Sequence, residues 1–309
     1  DKKIVSFLDA LYDVDVNSNN FFAFTGTNGK TTAAYLCHQL LISMNYDSIY
    51  IGTLGIQYNN NDFKKTFSLK TTPDIFELYE IIQSLNFGLD SISICIEISS
   101  HALDQGRLKG ISWLNSTSIL NITSDHMDYH KNIERYKAAK FEIFKFQSSI
   151  KLIDNESYKY SDSYDFLKND DYKLSVISKE NIFSDIFYKI REISLKNTIF
   201  EIFINKSPNG YGENDKKKFK FSCNIFPEFN IHNLVFAICS IGVDEFIENQ
   251  TNDLKFLKLP KGRVEIIKNI PSNVIIDYAH NPRAVSDLLK GIKKYYDNLI
   301  VVIGCGGDR

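Results

Sequence analysis

Long apolar runs, paired cysteines and an excess of one charge are all missing from this chain of 309 residues. No apolar stretch approaches the roughly 20 residues that a helix needs to span a bilayer, and no signal peptide opens the chain. The first residue is Asp1 rather than Met, as expected of a processed or cut start. Cys37, Cys95, Cys223, Cys239 and Cys305 are odd in number and widely spread, with no Cys-x-x-Cys pair. Neither a zinc site nor a disulfide framework is therefore indicated, and reduced thiols in a cytoplasmic protein are the expectation. A net charge of −2 suggests neither nucleic acid nor an anionic membrane as a partner.

What is present is an ordinary soluble balance of 43% hydrophobic and 24% charged residues, over a length that suits two domains. Short apolar runs alternate with longer helix-like segments, the pattern of a parallel α/β sheet. The expected strands are 21–25, 48–52, 92–98, 117–122, 274–277 and 299–303. Helices are expected over 30–44, 74–86, 132–146 (with Asn132 as N-cap) and near 283–296. Residues 151–225, rich in Lys, Asn, Asp, Tyr and Phe, carry no chemical motif; peripheral strands and solvated loops around Pro208–Lys218 are expected there. Leu259-Pro260-Lys261-Gly262 has the character of a linker, followed by one βαβ unit ending in Gly304-Cys305-Gly306-Gly307. One such unit cannot cover both faces of a sheet, so an incomplete second domain is expected.

The strongest local signal is Thr25-Gly26-Thr27-Asn28-Gly29-Lys30-Thr31-Thr32, which follows a strand and opens a helix. Backbone N–H groups in such a loop cradle phosphates at the positive end of the helix dipole. Lys30 would reach the outer phosphates and the Thr31 hydroxyl would bind Mg²⁺. It is not a strict Walker A loop, because Phe24 stands where the first glycine would be.

Glu97 interrupts an apolar strand just before Ser99-Ser100-His101. A buried carboxylate needs a partner or a metal, and the carboxyl end of a parallel strand faces the ligand crevice. As a Mg²⁺ ligand it would complement the loop; the competing reading is a strand end reaching solvent. Asp125-His126-Met127-Asp128-Tyr129-His130 could serve zinc, support Mg²⁺ or be a polar loop. Lys140 falls on the apolar face made by Ile133, Tyr136, Ile143 and Phe144, which is costly without a partner unless the side chain snorkels to water. Gly262-Arg263 suits a phosphate clamp at a linker, and Asp277, ending a strand in Asp277-Tyr278-Ala279-His280, suits a ribose.

Taken in order, these blocks, with Thr71-Thr72-Pro73-Asp74, Gln105-Gly106-Arg107, Ala139-Lys140 and Gly304–Arg309, resemble the Mur ligase family. The Glu97–Leu103 and Asp125–His130 blocks favour its MurE branch over the MurC, MurD and MurF ligases and the folylpolyglutamate synthases. The resemblance implies ATP-dependent addition of a diamino acid, meso-diaminopimelate or L-lysine, to UDP-N-acetylmuramoyl-L-alanyl-D-glutamate through an acyl phosphate, in peptidoglycan synthesis. Fold and organisation follow from the same resemblance. It implies a mostly parallel P-loop central domain over 21–258, a remnant of an N-terminal UDP-binding domain over 1–20, and the start of a Rossmann-like C-terminal domain over 259–309.

By that resemblance the loop Gly26, Thr27, Asn28, Gly29, Lys30, Thr31 and Thr32 holds ATP, and Thr31, Glu97, His126 and Lys140 hold two Mg²⁺ ions. Lys140 would be carbamylated, replacing a cation with an anion beside the metals. Asn233 would contact adenine, Asp277 the ribose and Arg263 the γ-phosphate, while Thr71, Thr72, Ser99, Gln105 and Arg107 would line the muramoyl-peptide site. Lys30, Lys140, Arg263 and His126 are the implied catalytic set, in a monomer. Two positions depart from the family pattern. Glu228-Phe229 stands where Gly-Phe is usual, and Lys261 is an extra residue before Gly262-Arg263. The competing readings are a non-catalytic nucleotide-binding remnant and, more weakly, another P-loop kinase or NTPase.

Overall fold

Near-continuous apolar strands need cover on both faces, and the order of elements supplies it. The structure is a computed structural model that describes residues 2–62, 70–85, 91–168, 173–206, 216–249, 252–267 and 273–304. Helix α1 (Lys2–Tyr12) leads into strand β1 (Asn20–Thr25), helix α2 (Lys30–Ser43) and strands β2 (Ser48–Gly52), β3 (Gly55–Tyr58) and β4 (Asn61–Asp62). Next come α3 (Ile75–Ser84), β5 (Ser93–Glu97), α4 (Ser100–Asp104), β6 (Trp113–Ile119), α5 (Met127–His130), α6 (Ile133–Phe141), β7 (Gln147–Asp154) and α7 (Asn155–Tyr158). Strands β8 (Ser175–Lys179), β9 (Ile186–Ile193), β10 (Thr198–Ile204) and β11 (Lys217–Cys223) precede α8 (Glu228–Ile241) and α9 (Val243–Asn249). The pair β12 (Glu265–Ile267) and β13 (Val274–Ile276) and helix α10 (Pro282–Lys293) follow.

Eleven strands share one sheet in the order β11-β10-β9-β8-β7-β6-β1-β5-β2-β3-β4. From β9 to β2 all neighbours pair in parallel, and both ends continue in antiparallel strands. Alternate residues feed two cores. Phe22 and Phe24 of β1 pack with α2 and α8, while Phe21 and Ala23 pack with α1, α3 and α6 on the other face. The parallel strands therefore end along one rim, where Thr25, Gly52, Glu97, Ile119 and Asp154 lie.

Caps explain the helix starts. Asn132 accepts a hydrogen bond from the Arg135 amide, and Asp74 with Glu77 forms a reciprocal capping box. The expected helix over 132–146 is shorter, with α6 stopping at Phe141 and 142–145 tightening into a 3₁₀ turn.

Several expectations fail. The strand placed at 117–122 runs over Trp113–Ile119, because Asn115, Ser116 and Ser118 hide it from an apolar count while pairing normally. Residues 151–225 are not merely peripheral, since β7 and β8 extend the parallel sheet itself. Of the loop expected around Pro208–Lys218, Lys217 and Lys218 belong to β11 and 207–215 lie outside the described residues. The segment 299–303 is in no ladder: Ile300 and Val302 are each 95% exposed, and among the described residues no strand pairs with it. The unit after the linker is consequently an antiparallel pair and a helix, not a closed βαβ. Cys305 to Arg309 lie outside the described residues.

Candidate functional site

The phosphate-binding loop is held from below. The Thr27 amide donates to the Asn121 carbonyl (3.0 Å), the Asn28 amide to Asn121 Oδ1 (2.9 Å), and Asn121 Nδ2 back to the Asn28 carbonyl (2.9 Å). Thr27 Oγ1 donates to the Thr123 carbonyl (3.1 Å) and shares a hydrogen bond with the Tyr136 hydroxyl (2.9 Å). Gly29 has φ +88°, and a Cβ there would stand 2.3 Å from Asn233 Oδ1. Glycine thus serves both the left-handed turn and the close approach of α8. The N–H groups of the first turn of α2, which have no partner within the helix, follow directly.

Lys30 turns its ammonium back on this loop, donating to the carbonyls of Gly26 (2.8 Å) and Thr27 (3.0 Å). Burial lowers its pKa, and the charge of Glu97 opposes that shift. Glu97 is fully buried at the end of β5 and does not reach solvent. Its Oε1 accepts from the Tyr50 hydroxyl (2.5 Å) and the Thr53 amide (2.8 Å), and its Oε2 from the hydroxyls of Thr31 (2.9 Å) and Thr53 (3.2 Å). Arg263 Nη2, from beyond the linker, donates to Thr31 Oγ1 (3.2 Å), and its guanidinium lies 4.5 Å over the Tyr278 ring.

Across the cleft, His126 caps α5 with φ +54°. Burial first, then neighbouring cations and His101, hold its pKa down to about 4, so the ring is neutral at pH 7. His101 lies edge-on to both His126 (5.0 Å) and His130 (5.5 Å), and Ser100 Oγ shares a hydrogen bond with His130 Nε2 (3.0 Å). Among the described residues no group of three or more His, Cys, Asp or Glu is placed to hold a metal. Lys140 is 1% exposed and does not snorkel. Its ammonium lies 4.7 Å over the Tyr136 ring, and among the described residues it makes no ion pair with a carboxylate. Burial, reinforced by Lys30, pushes its pKa well below the ordinary lysine value.

These groups line one cleft of about 900 Å³ at the carboxyl rim of the sheet. Thr27 to Thr32, Glu97, His126, Lys140, Asn233, Arg263 and Asp277 are all on its walls, as are Thr71, Ser99 and Arg107. Gly26 and Thr72, both buried, and Gln105, which is exposed, are not among the lining residues. Thr72 Oγ1 donates to the Glu97 carbonyl (2.9 Å), and Arg107 donates to the Thr72 carbonyl (2.9 Å) and to Gln105 Oε1 (2.9 Å). Asp277 spends its carboxylate on its own segment, accepting from the amides of Val264 and Ala279 (2.8 Å each).

The sequence reading missed Tyr50, Thr53, Asn121 and His232. Tyr50 lies within β2 and Thr53 directly follows it, at the same rim as the phosphate loop, and that position was the available signal. His232 lies on the cleft wall between Tyr188 (3.2 Å) and the Leu120 carbonyl (3.2 Å), positioned by tertiary packing that no motif announces.

The donor set fits Mg²⁺ at one end. The Thr31 hydroxyl and Glu97 carboxyl are hard oxygen ligands beside a phosphate loop, as Mg²⁺ prefers. His126 and Lys140 themselves offer nitrogen, with an Asp125 carboxylate oxygen 3.9 Å from His126 Nε2 on the same cleft wall.

Comparison with known proteins bears on the whole chain. Residues 24–241 match the Mur ligase middle domain, and residues 262–309 the Mur ligase glutamate ligase domain. A UDP-N-acetylmuramoyl-L-alanyl-D-glutamate–2,6-diaminopimelate ligase of Clostridium perfringens is 31% identical over 100% of the chain and 63% of that relative. A UDP-N-acetylmuramyl-tripeptide synthetase 2 of Oceanobacillus iheyensis is 29% identical over 100% of the chain and 61% of its own length. A solved UDP-N-acetylmuramoyl-L-alanyl-D-glutamate–2,6-diaminopimelate ligase superposes with a TM-score of 0.72 at 26% identity, covering 100% of this chain and 60% of that one. The chain thus spans about three fifths of the length of these relatives. With a family match over most of its residues, ordered on a Mur-type sheet, the chain belongs to the Mur ligase family.

Proposed function

We propose that this chain carries the ATP-handling centre of a ligase that joins a diamino acid to UDP-N-acetylmuramoyl-L-alanyl-D-glutamate in peptidoglycan synthesis. The observation that supports it most is convergence: Lys30, Glu97, His126 and Lys140, spread over 111 residues of sequence, line a single cleft. On this reading residues 21–258 form the nucleotide-binding unit and 259–309 a second unit that closes on it. Every group assigned comes from one chain, so a monomer suffices, and the use of ATP carries a cytoplasmic location with it.

The chemistry asks for positioning and charge neutralisation more than for a protein nucleophile. Loop amides of Gly26 to Thr32 and the Lys30 ammonium would hold the phosphates, with Arg263 on the γ-phosphate, Asn233 on adenine and Asp277 turned from its amides to the ribose. Thr71, Thr72, Ser99, Gln105 and Arg107 would hold the muramoyl peptide so that its glutamate carboxylate meets the γ-phosphorus. Bound Mg²⁺ would neutralise phosphate charge, with Thr31 and Glu97 as its ligands at one site and His126 with Lys140 at the other. A neutral, buried Lys140 amine is the form that adds CO₂, losing one proton and gaining two oxygen ligands in place of its nitrogen. The acyl phosphate would then be attacked by the substrate amine, with water excluded by the second unit.

The test is phosphate release from ATP with the UDP-muramoyl-dipeptide and either diaminopimelate or lysine. Release that needs both substrates supports the ligase. ATP binding without any such release replaces it with a nucleotide-binding protein, and hydrolysis indifferent to both replaces it with an NTPase.

A further inference from the structure

Glu97 holds its two carboxyl oxygens by different kinds of donor. Oε1 accepts from the Tyr50 hydroxyl and the Thr53 amide, whereas Oε2 accepts only from the hydroxyls of Thr31 and Thr53. A backbone amide cannot turn away. Nor can the phenol, because Tyr50 is fully buried, with its ring edge-on to Tyr35 of α2 at 5.7 Å and 84°. Threonine hydroxyls rotate freely about one bond and can serve as donor or acceptor. Oε1 is therefore committed to the protein and Oε2 is releasable, and Oε2 is the oxygen beside Thr31 at the mouth of the phosphate loop.

Room for this arrangement comes from Gly52. A Cβ there would stand 2.2 Å from Glu97 Oε1 and 2.5 Å from the Tyr50 hydroxyl, so a side chain would drive the pair apart. Gly52, Tyr50 and Thr53 all belong to β2 and the turn after it, a segment to which no role has so far been given.

We infer that the Tyr50 hydroxyl is a positioning group for the metal-binding carboxyl of Glu97, fixing which oxygen faces the cleft. The inference rests on the reading of Glu97 as a Mg²⁺ ligand and adds the device that aims it. Tyr50 is not among the residues that line the cleft. It acts through Glu97, as outer-shell partners of metal ligands do.

The experiment uses Mn²⁺ as a spectroscopic stand-in for Mg²⁺. Its affinity for the ATP-bound chain is read by electron paramagnetic resonance, with ATP binding in EDTA and the thermal melt measured alongside. Tyr50→Phe keeps the ring and removes only the hydroxyl. It is expected to weaken Mn²⁺ binding by roughly 10-fold or more, with ATP binding in EDTA unchanged, and Glu97→Gln is expected to lose the site. Gly52→Ala, which crowds both Glu97 Oε1 and the Tyr50 hydroxyl while leaving the phenol in place, is expected to weaken Mn²⁺ in the same direction and serves if Tyr50→Phe does not fold. Unchanged Mn²⁺ affinity in folded Tyr50→Phe, while Glu97→Gln loses the site, overturns the positioning role alone. Unchanged affinity in Glu97→Gln overturns the ligand reading and the inference with it.

Discussion

Glu97 and Lys140 are two buried ionisable groups lining one cleft, and their surroundings could hardly differ more. The glutamate has four donors around two oxygens, while the lysine has an aromatic ring at 4.7 Å and, among the described residues, no ion pair, with the charge of Asp125 only partly opposing the effect of burial. The first is preorganised for what it will bind. The second is held in a form that is costly as a cation, and its environment makes sense only once the amine is neutral or converted to something else.

Four measurements sharpen or break this contrast. The largest effect expected is from Lys140→Ala, a loss of roughly 10³-fold in ligase turnover, partly restored by formate or acetate, which return an anion to the site; full activity in this variant would end the carbamate reading. Glu97→Ala comes next. Its turnover should fall by roughly 10²-fold and need more Mg²⁺, with no rescue by small carboxylates because its four donors are aimed for a tethered one. An unchanged Mg²⁺ requirement would remove it as a ligand.

The third measurement concerns stability. The folded pKa of Lys140 lies well below the ordinary 10.5, so the unfolded chain binds the extra proton and native stability rises with pH up to about 10.5. In CO₂-free buffer Lys140→Met should raise the melting temperature at pH 7 by a few degrees and flatten that rise; a lower melting temperature would mean that the cation is well accommodated. The smallest effect is at the loop itself. Gly29→Ala puts a Cβ against Asn233 at φ +88°, and should cost about 1–3 kcal/mol in a denaturant melt. An undisturbed melt would show that α8 yields easily.

How much of the site the sequence disclosed is a matter of where the information sits. The phosphate loop, α2, α3 and the N-cap Asn132 are local features whose residues fix their own geometry. Glu97 and Lys140 stood out because charge in an apolar run is costly, and both prove buried. Strands β6 to β11 escaped notice in whole or in part because polar residues such as Asn115 and Glu201 lie within them, with Glu201 compensated by Arg191 and Lys218 from neighbouring strands. That compensation is visible only after the strands pair. Tyr50 was hidden for the same reason, since its role depends on β2 lying beside β5. The 299–303 run was legible as apolar but has no partner among the described residues to make it a strand.

The resting posture of Lys30 has a consequence for selectivity. With two loop carbonyls already at 2.8 and 3.0 Å, its ammonium gains little from a weak or singly charged anion. A polyphosphate brings enough charge to win the lysine over and engages the helix amides in the same event. On the proposed reading, a ligand must bring more charge than a lone phosphate or a small carboxylate to draw the lysine from these two carbonyls.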